Sequence, residues 1–244
     1  MKPTLVALAA AAALMASPMA SASLSFTGSS GSLAAQAQFD IVGGKLKVIV
    51  SNTSTADAGV PADILTGILF NLTGGLNSLT PLSANTGGST FKNGAVVNAA
   101  GTNVGGEWGY VAGVAGYTAA IASSGWGGSG QPNFGGSNLA GPVGLDGLQY
   151  GITSAGDNVA TGNAGLLGSE VTKSSVTFLL DIGSGFTLSQ ITGLRFQYGT
   201  SITEPSFTAG PPTQGPPLPE PASLALVGAG LLAAFGAASR RRVR

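Results

Sequence analysis

Residues 35–41 alternate apolar with polar positions: Ala35, Ala37, Phe39 and Ile41 stand against Gln36, Gln38 and Asp40. A period of two sends the two sets to opposite faces of a strand. Val42-Gly43-Gly44-Lys45 follows, and residues 46–50 resume the alternation with Leu46, Val48 and Val50 on one face. Two alternating runs around a two-glycine turn predict a β-hairpin. Residues 64–70 form a further apolar run ended by Thr73-Gly74-Gly75. Residues 175–182 and 194–198 read as two more strands around a glycine-containing turn at residues 183–186. Outside the two ends of the chain, no window keeps a 3.6-residue period beyond two turns. The pattern predicts an all-β fold, an antiparallel β-sandwich.

The middle of the chain breaks the pattern. Residues 101–168 carry 20 of the 40 glycines. Glycine loses the most conformational freedom on ordering, so this stretch is expected to be a Gly-rich loop insert. Trp108, Tyr110, Tyr117, Trp126, Phe134 and Tyr150 are interspersed in it. Such aromatics either pin loops over a sheet end or offer flat faces to sugar rings. Trp108, Trp126 and Tyr150 are the candidate glycan contacts.

The two ends differ from everything between them. Met1-Lys2 gives a short positive start, residues 5–15 are apolar, Pro18 breaks the helix, and Ala20-Ser21-Ala22 supplies small residues. That is the layout of a secretory signal peptide over residues 1–22, with a signal peptidase site at Ala20 and Ala22. Cleavage after Ala22 leaves Ser23 as the mature start; cleavage after Ala20 is the near alternative. At the other end, seven prolines fall between Pro205 and Pro221. Residues 208–218 are expected to form an extended Pro/Gly-rich spacer outside any sheet. Pro219-Glu220-Pro221 comes next, then the uncharged residues 222–239, then Arg240, Arg241, Arg242 and Arg244.

At 1.5 Å per residue a helix over residues 222–239 spans roughly 27 Å, just short of a ~30 Å hydrocarbon core. Its six strongly apolar residues favour insertion by only about 3 kcal/mol before Gly and Ser subtract from that. The arginine cluster belongs on the cytoplasmic side by the positive-inside rule, which leaves the rest of the chain outside. A Pro-Glu-Pro tripeptide, a weak span and an arginine cluster in this order resemble the PEP-CTERM sorting tail of exosortase substrates. The resemblance implies that an integral-membrane exosortase recognises Pro219, Glu220 and Pro221, cuts near them and sheds residues 219–244. It also implies a Gram-negative cell that makes exopolysaccharide, with the mature protein at its surface or in the biofilm matrix.

Composition removes much catalytic chemistry. The chain has no Cys and no His, which excludes disulfides, thiolate nucleophiles, a Ser-His-Asp triad and ordinary structural zinc. Gly125-Trp126-Gly127-Gly128-Ser129-Gly130 has the spacing of a dinucleotide loop, but Gln131-Pro132 follows where a helix is needed. Ser89-Thr90-Phe91-Lys92 matches S-x-x-K without the accompanying K-T-G. Carboxylates remain: Asp57 and Asp63 flank one loop, and Asp146, Asp157 and Glu170 border the Gly-rich region. A pair of them could hydrolyse glycosides, or a group could bind Ca²⁺ through hard oxygens. Turn-forming Asp residues that bond nearby backbone are the ordinary alternative.

Charge completes the picture. The formal balance of the whole chain is zero, but Lys2 and the four terminal arginines lie in the segments expected to be removed. Five basic and nine acidic side chains then remain before Pro219, a net charge of −4. A mildly acidic domain offers no basic surface to nucleic acid. The expected protein is exported and non-catalytic, with residues 23–207 as its β-sandwich and no cofactor. Its expected partners are the Sec machinery, signal peptidase, exosortase, the inner membrane in transit, and exopolysaccharide. The alternatives are a carbohydrate- or ice-binding adhesin built on Gly/aromatic loops, and a carboxylate-based glycan hydrolase.

Overall fold

The computed structural model describes residues 23–74, 79–123, 137–138 and 147–215. The strands of the first half are β1 (Leu24–Ser30), β2 (Leu33–Val42), β3 (Lys45–Asn52), β4 (Leu65–Leu72), β5 (Thr80–Thr86), β6 (Thr90–Lys92), β7 (Ala95–Asn98) and β8 (Gly109–Val114). Those of the second half are β9 (Tyr117–Ala122), β10 (Ser137–Asn138), β11 (Ile152–Thr153), β12 (Val171–Lys173), β13 (Ser175–Asp181), β14 (Ile191–Tyr198), β15 (Ser206–Thr208) and β16 (Thr213–Gln214).

One sheet runs β16-β1-β2-β3-β13-β5. Its inner face is the predicted alternation: Ala35, Ala37 and Phe39 of β2, Leu46, Val48 and Val50 of β3, and Val176, Phe178 and Leu180 of β13 are all buried. The β2–β3 turn places Gly43 at φ 58° and Gly44 at φ 73°. Two consecutive positive φ angles are what a tight hairpin needs and what a Cβ resists. The second sheet runs β10-β8-β9-β4-β11-β12-β6-β7, with β14 paired to β4 and β15 to β14. Its strand β4 sits between β9 and β14, and residues 65–70 are buried on both faces. That explains a continuous apolar run where the first sheet alternates.

The two sheets share one core. Phe39 of the first meets Phe70 of the second edge-on at 5.5 Å between ring centroids. Trp108, just before β8, meets Phe178 of β13 at 4.8 Å. Full burial of each such ring contributes roughly 1.5–3 kcal/mol. Polar bonds also cross the layers: the Asn52 amide donates to the Ile152 carbonyl at 2.9 Å. The fold is therefore mostly β, with two sheets packed on a shared core.

Three expectations need correction. The pairing is not purely antiparallel, because β11 and β12 run parallel. The Gly-rich region is not simply a loop insert, because β8 and β9 form a hairpin that pairs with β4 in the second sheet. Gly113 and Gly116 take positive φ angles around that hairpin's turn. Lastly, the sheet does not stop at residue 207. Strand β16 lies inside the expected spacer and pairs antiparallel with β1, Leu24 opposite Gln214 and Ser25 opposite Thr213. A two-residue edge strand is a place where flanking prolines do little harm, since their missing N–H groups face no partner. Residues Ser23–Gly215 form one compact unit.

Candidate functional site

Four of the five candidate carboxylates fall in described residues, and the fold divides them. Asp57, Asp63 and Asp157 gather at the loop between β3 and β4. The Asp63 carboxylate accepts the backbone N–H groups of Gly59 at 2.9 Å and Val60 at 3.0 Å, closing a single 3₁₀ turn at Pro61–Asp63. Asp57 accepts the N–H of Asn158 at 2.9 Å. Asp157, only 3% exposed, accepts the Ala58 N–H at 2.8 Å and the Thr153 hydroxyl. Asp63 thus braces its own loop, the ordinary use of Asp in turns, while Asp57 and Asp157 each bond the other's loop and tie the two together. Asp57 and Asp63 border an open cleft of about 70 Å³ together with Ser32, Asn52, Ser54 and Ser154. Small-molecule sites usually offer roughly 300–1,000 Å³, so this cleft is much smaller than an ordinary sugar-sized site. Among the described residues, no three acidic side chains converge as a metal-binding group.

Glu170 belongs to a separate cluster between β12 and β6. One of its carboxylate oxygens accepts the Thr90 hydroxyl and the Asn98 amide, the latter at 2.8 Å; the other accepts the Tyr150 hydroxyl at 3.2 Å. The group is 8% exposed, so these donors stand in for lost water. Tyr150 also gives its backbone N–H to the Glu170 carbonyl at 2.6 Å, with its own φ at 55°. Bonds at both ends of Tyr150 hold a backbone conformation that a residue with a Cβ ordinarily avoids. Burial first, and the Glu170 charge second, push the Tyr150 phenol up to about 12.

The aromatic candidates part company. Trp108 is 0% exposed and packs on Phe178, so it is a core residue and not a sugar platform. Among the described residues its indole N–H has no partner. Tyr150 is half-buried, its hydroxyl engaged by Glu170. Trp126 and Asp146 lie outside the described residues, as do Ala20, Ala22, Pro219, Glu220, Pro221, Arg240, Arg241, Arg242 and Arg244. Among the described residues no helix is long and apolar enough to cross a membrane. The span expected at residues 222–239 is not among them.

The structure adds a relationship absent from the sequence reading. The chain enters the domain at Ser23 and leaves it at Gly215, and these two residues are bonded: the Gly215 N–H donates to the Ser23 carbonyl at 3.0 Å. The expected signal peptide and sorting tail are therefore joined to the domain at one point on one sheet edge.

Comparison with known proteins bears on that exit point. The family model of the PEP-CTERM protein-sorting motif matches residues 217–242. The chain carries this motif, which begins two residues beyond Gly215 and includes Pro219-Glu220-Pro221. The motif implies an exported protein sorted toward the cell surface through processing by exosortase. No curated protein and no solved structure matches the chain.

Proposed function

We infer that the chain is the precursor of a non-catalytic surface or extracellular-matrix protein that works in contact with exopolysaccharide. Residues 1–22 direct export, residues 219–244 hold the precursor briefly in the inner membrane, and exosortase releases the domain outward. The observation that carries this reading is the sorting motif at residues 217–242, directly after a β-sandwich ending at Gly215. A passive role is supported by the described aspartates, which are bonded to backbone N–H groups of the loops around them, and by the small size of the cleft beside Asp57 and Asp63. Two sheets packed on a large shared core are also a sound body to display outside the cell. Replacing Pro219 and Pro221 by Ala tests the proposal. The variant is expected to stay in the inner-membrane fraction with its tail attached; release and trimming at the wild-type level would overturn the reading.

A further inference from the structure

The distance between the folded domain and the sorting motif is short. Only Pro216, Pro217 and Leu218 separate Gly215 from Pro219. Four Cα steps reach at most about 14 Å. The expected membrane span begins immediately after Pro221, so the motif stands between that span and the domain with only three residues of spacer on the domain side. Enzymes that cut chains act on exposed, flexible segments, not on stretches pinned beside a folded body.

The last strand is built to let go. Strand β16 has two exposed residues at the sheet edge, bounded by Pro211-Pro212 and Pro216-Pro217, which have no N–H to add to its ladder. It is held by its pairing with β1, by the Gly215 N–H on the Ser23 carbonyl at 3.0 Å, and by the Gly210 N–H on the Thr27 carbonyl at 2.9 Å. Just upstream the hold is of another kind. The Ala209 N–H donates to the Leu194 carbonyl at 2.7 Å. The Phe207 ring packs against Phe196 at 5.5 Å and Tyr198 at 5.7 Å. Peeling that begins at Gly215 therefore stops at Ala209.

We propose that β16 is a detachable clasp, and that exosortase processing requires residues 210–215 to peel from β1. Resting on the sorting reading above, this identifies Thr213 and Gln214 as the positions that control access to the motif. With the clasp open, ten Cα steps separate Ala209 from Pro219, a reach of up to about 36 Å. The closed clasp leaves only residues 216–218 between the sheet edge and the motif; the open one adds residues 210–215 to that spacer.

The chain has no cysteine, so the clasp can be locked without side reactions. Ser25 and Thr213 are directly opposed. Antiparallel partners lie about 4.5–5.5 Å apart at Cα, inside the range a disulfide spans. The full-length precursor carrying Ser25→Cys and Thr213→Cys is expressed in cells with a matching exosortase, beside each single variant and the double alanine variant at Pro219 and Pro221. Tail removal is followed by intact mass. The single variants are expected to be trimmed like wild type, while the oxidised double variant loses trimming and accumulates with residues 219–244 attached. Inserting six Gly/Ser residues between Gly215 and Pro216 of the locked variant should restore trimming, because it returns the reach without opening the clasp. Trimming of the locked variant at the wild-type rate would overturn the clasp, as would failure of the insert to restore it. If wild type itself is not trimmed, the sorting reading has failed and the clasp falls with it.

Discussion

The Tyr198 hydroxyl on β14 donates to the Ala34 carbonyl on β2 at 3.0 Å, tying the second sheet to the first through the core. The same carbonyl also accepts the Thr53 N–H at 2.8 Å, so removing the hydroxyl does not orphan it. Tyr198→Phe is therefore expected to cost only about 1 kcal/mol, the net worth of one hydrogen bond. That corresponds to a melting shift of ~2–4 °C for a domain of this size. Thermal unfolding followed by circular dichroism checks it; a much larger loss would mean the bond locks the packing of the two sheets.

Alkaline pH should destabilise the domain through its tyrosines. Burial raises the phenols of Tyr110, Tyr150 and Tyr198 above their ordinary value, Tyr150 to about 12. As pH rises past about 10, the unfolded chain releases these protons first and the folded chain keeps them. Stability is thus fully present below about pH 10 and is lost as pH climbs through the folded values, for Tyr150 between about 10 and 12. Urea midpoints measured across that window should fall with pH. Tyr150→Phe should make the fall shallower.

Glu170→Gln probes the buried cluster directly. The substitution places an NH₂ among groups that donate to the carboxylate, Asn98 most rigidly. A loss of about 1–3 kcal/mol is expected from the mismatch. Removing the negative charge should also move the Tyr150 phenol down toward the ordinary range, readable in the ultraviolet absorbance of tyrosinate. An unmoved Tyr150 titration would show that burial alone sets it.

Two glycines make a matched pair. A Cβ on Gly88 would stand 2.3 Å from the Lys173 carbonyl oxygen, a backbone atom that cannot swing away, whereas nothing lies within 4 Å of one on Gly156. Gly88→Ala is expected to cost 1–3 kcal/mol or more, by order of magnitude ~2, through overpacking. Gly156→Ala should stay within about 0.5 kcal/mol of wild type. Comparable losses in both would contradict the close approach of the bend between β5 and β6 to β12.

The parts of the fold that were legible in the sequence are those where side-chain pattern and environment agree. Strands β2, β3 and β13 alternate because one face meets the core, and Gly43-Gly44 marks their hairpin. The run at residues 65–70 is apolar apart from Thr66, whose hydroxyl is bonded to β14, because both of its faces are covered. Strands β8 and β9 were hidden because Gly113, Ala119, Ala120 and Ala122 have weak strand preference; pairing with β4 makes them a sheet. Carboxylates were visible as candidates, but their partners come from far along the chain: Thr90 reaches Glu170 across 80 positions and Ala58 reaches Asp157 across 99. Trp108 was misread for a similar reason, since nothing local says that Phe178 covers it. The sorting motif was legible because its parts need only stand in order along the chain. The Ser23–Gly215 bond was not, because it joins the two ends of the domain.

The central claim is that this chain is a precursor trimmed at both ends on its way outward, and intact mass with terminal mapping of the protein recovered from the cell surface tests it most directly. The account predicts a species that begins at Ser23 and has lost Arg240, Arg241, Arg242 and Arg244 with the rest of the tail. A surface protein still carrying residues 219–244 would contradict it.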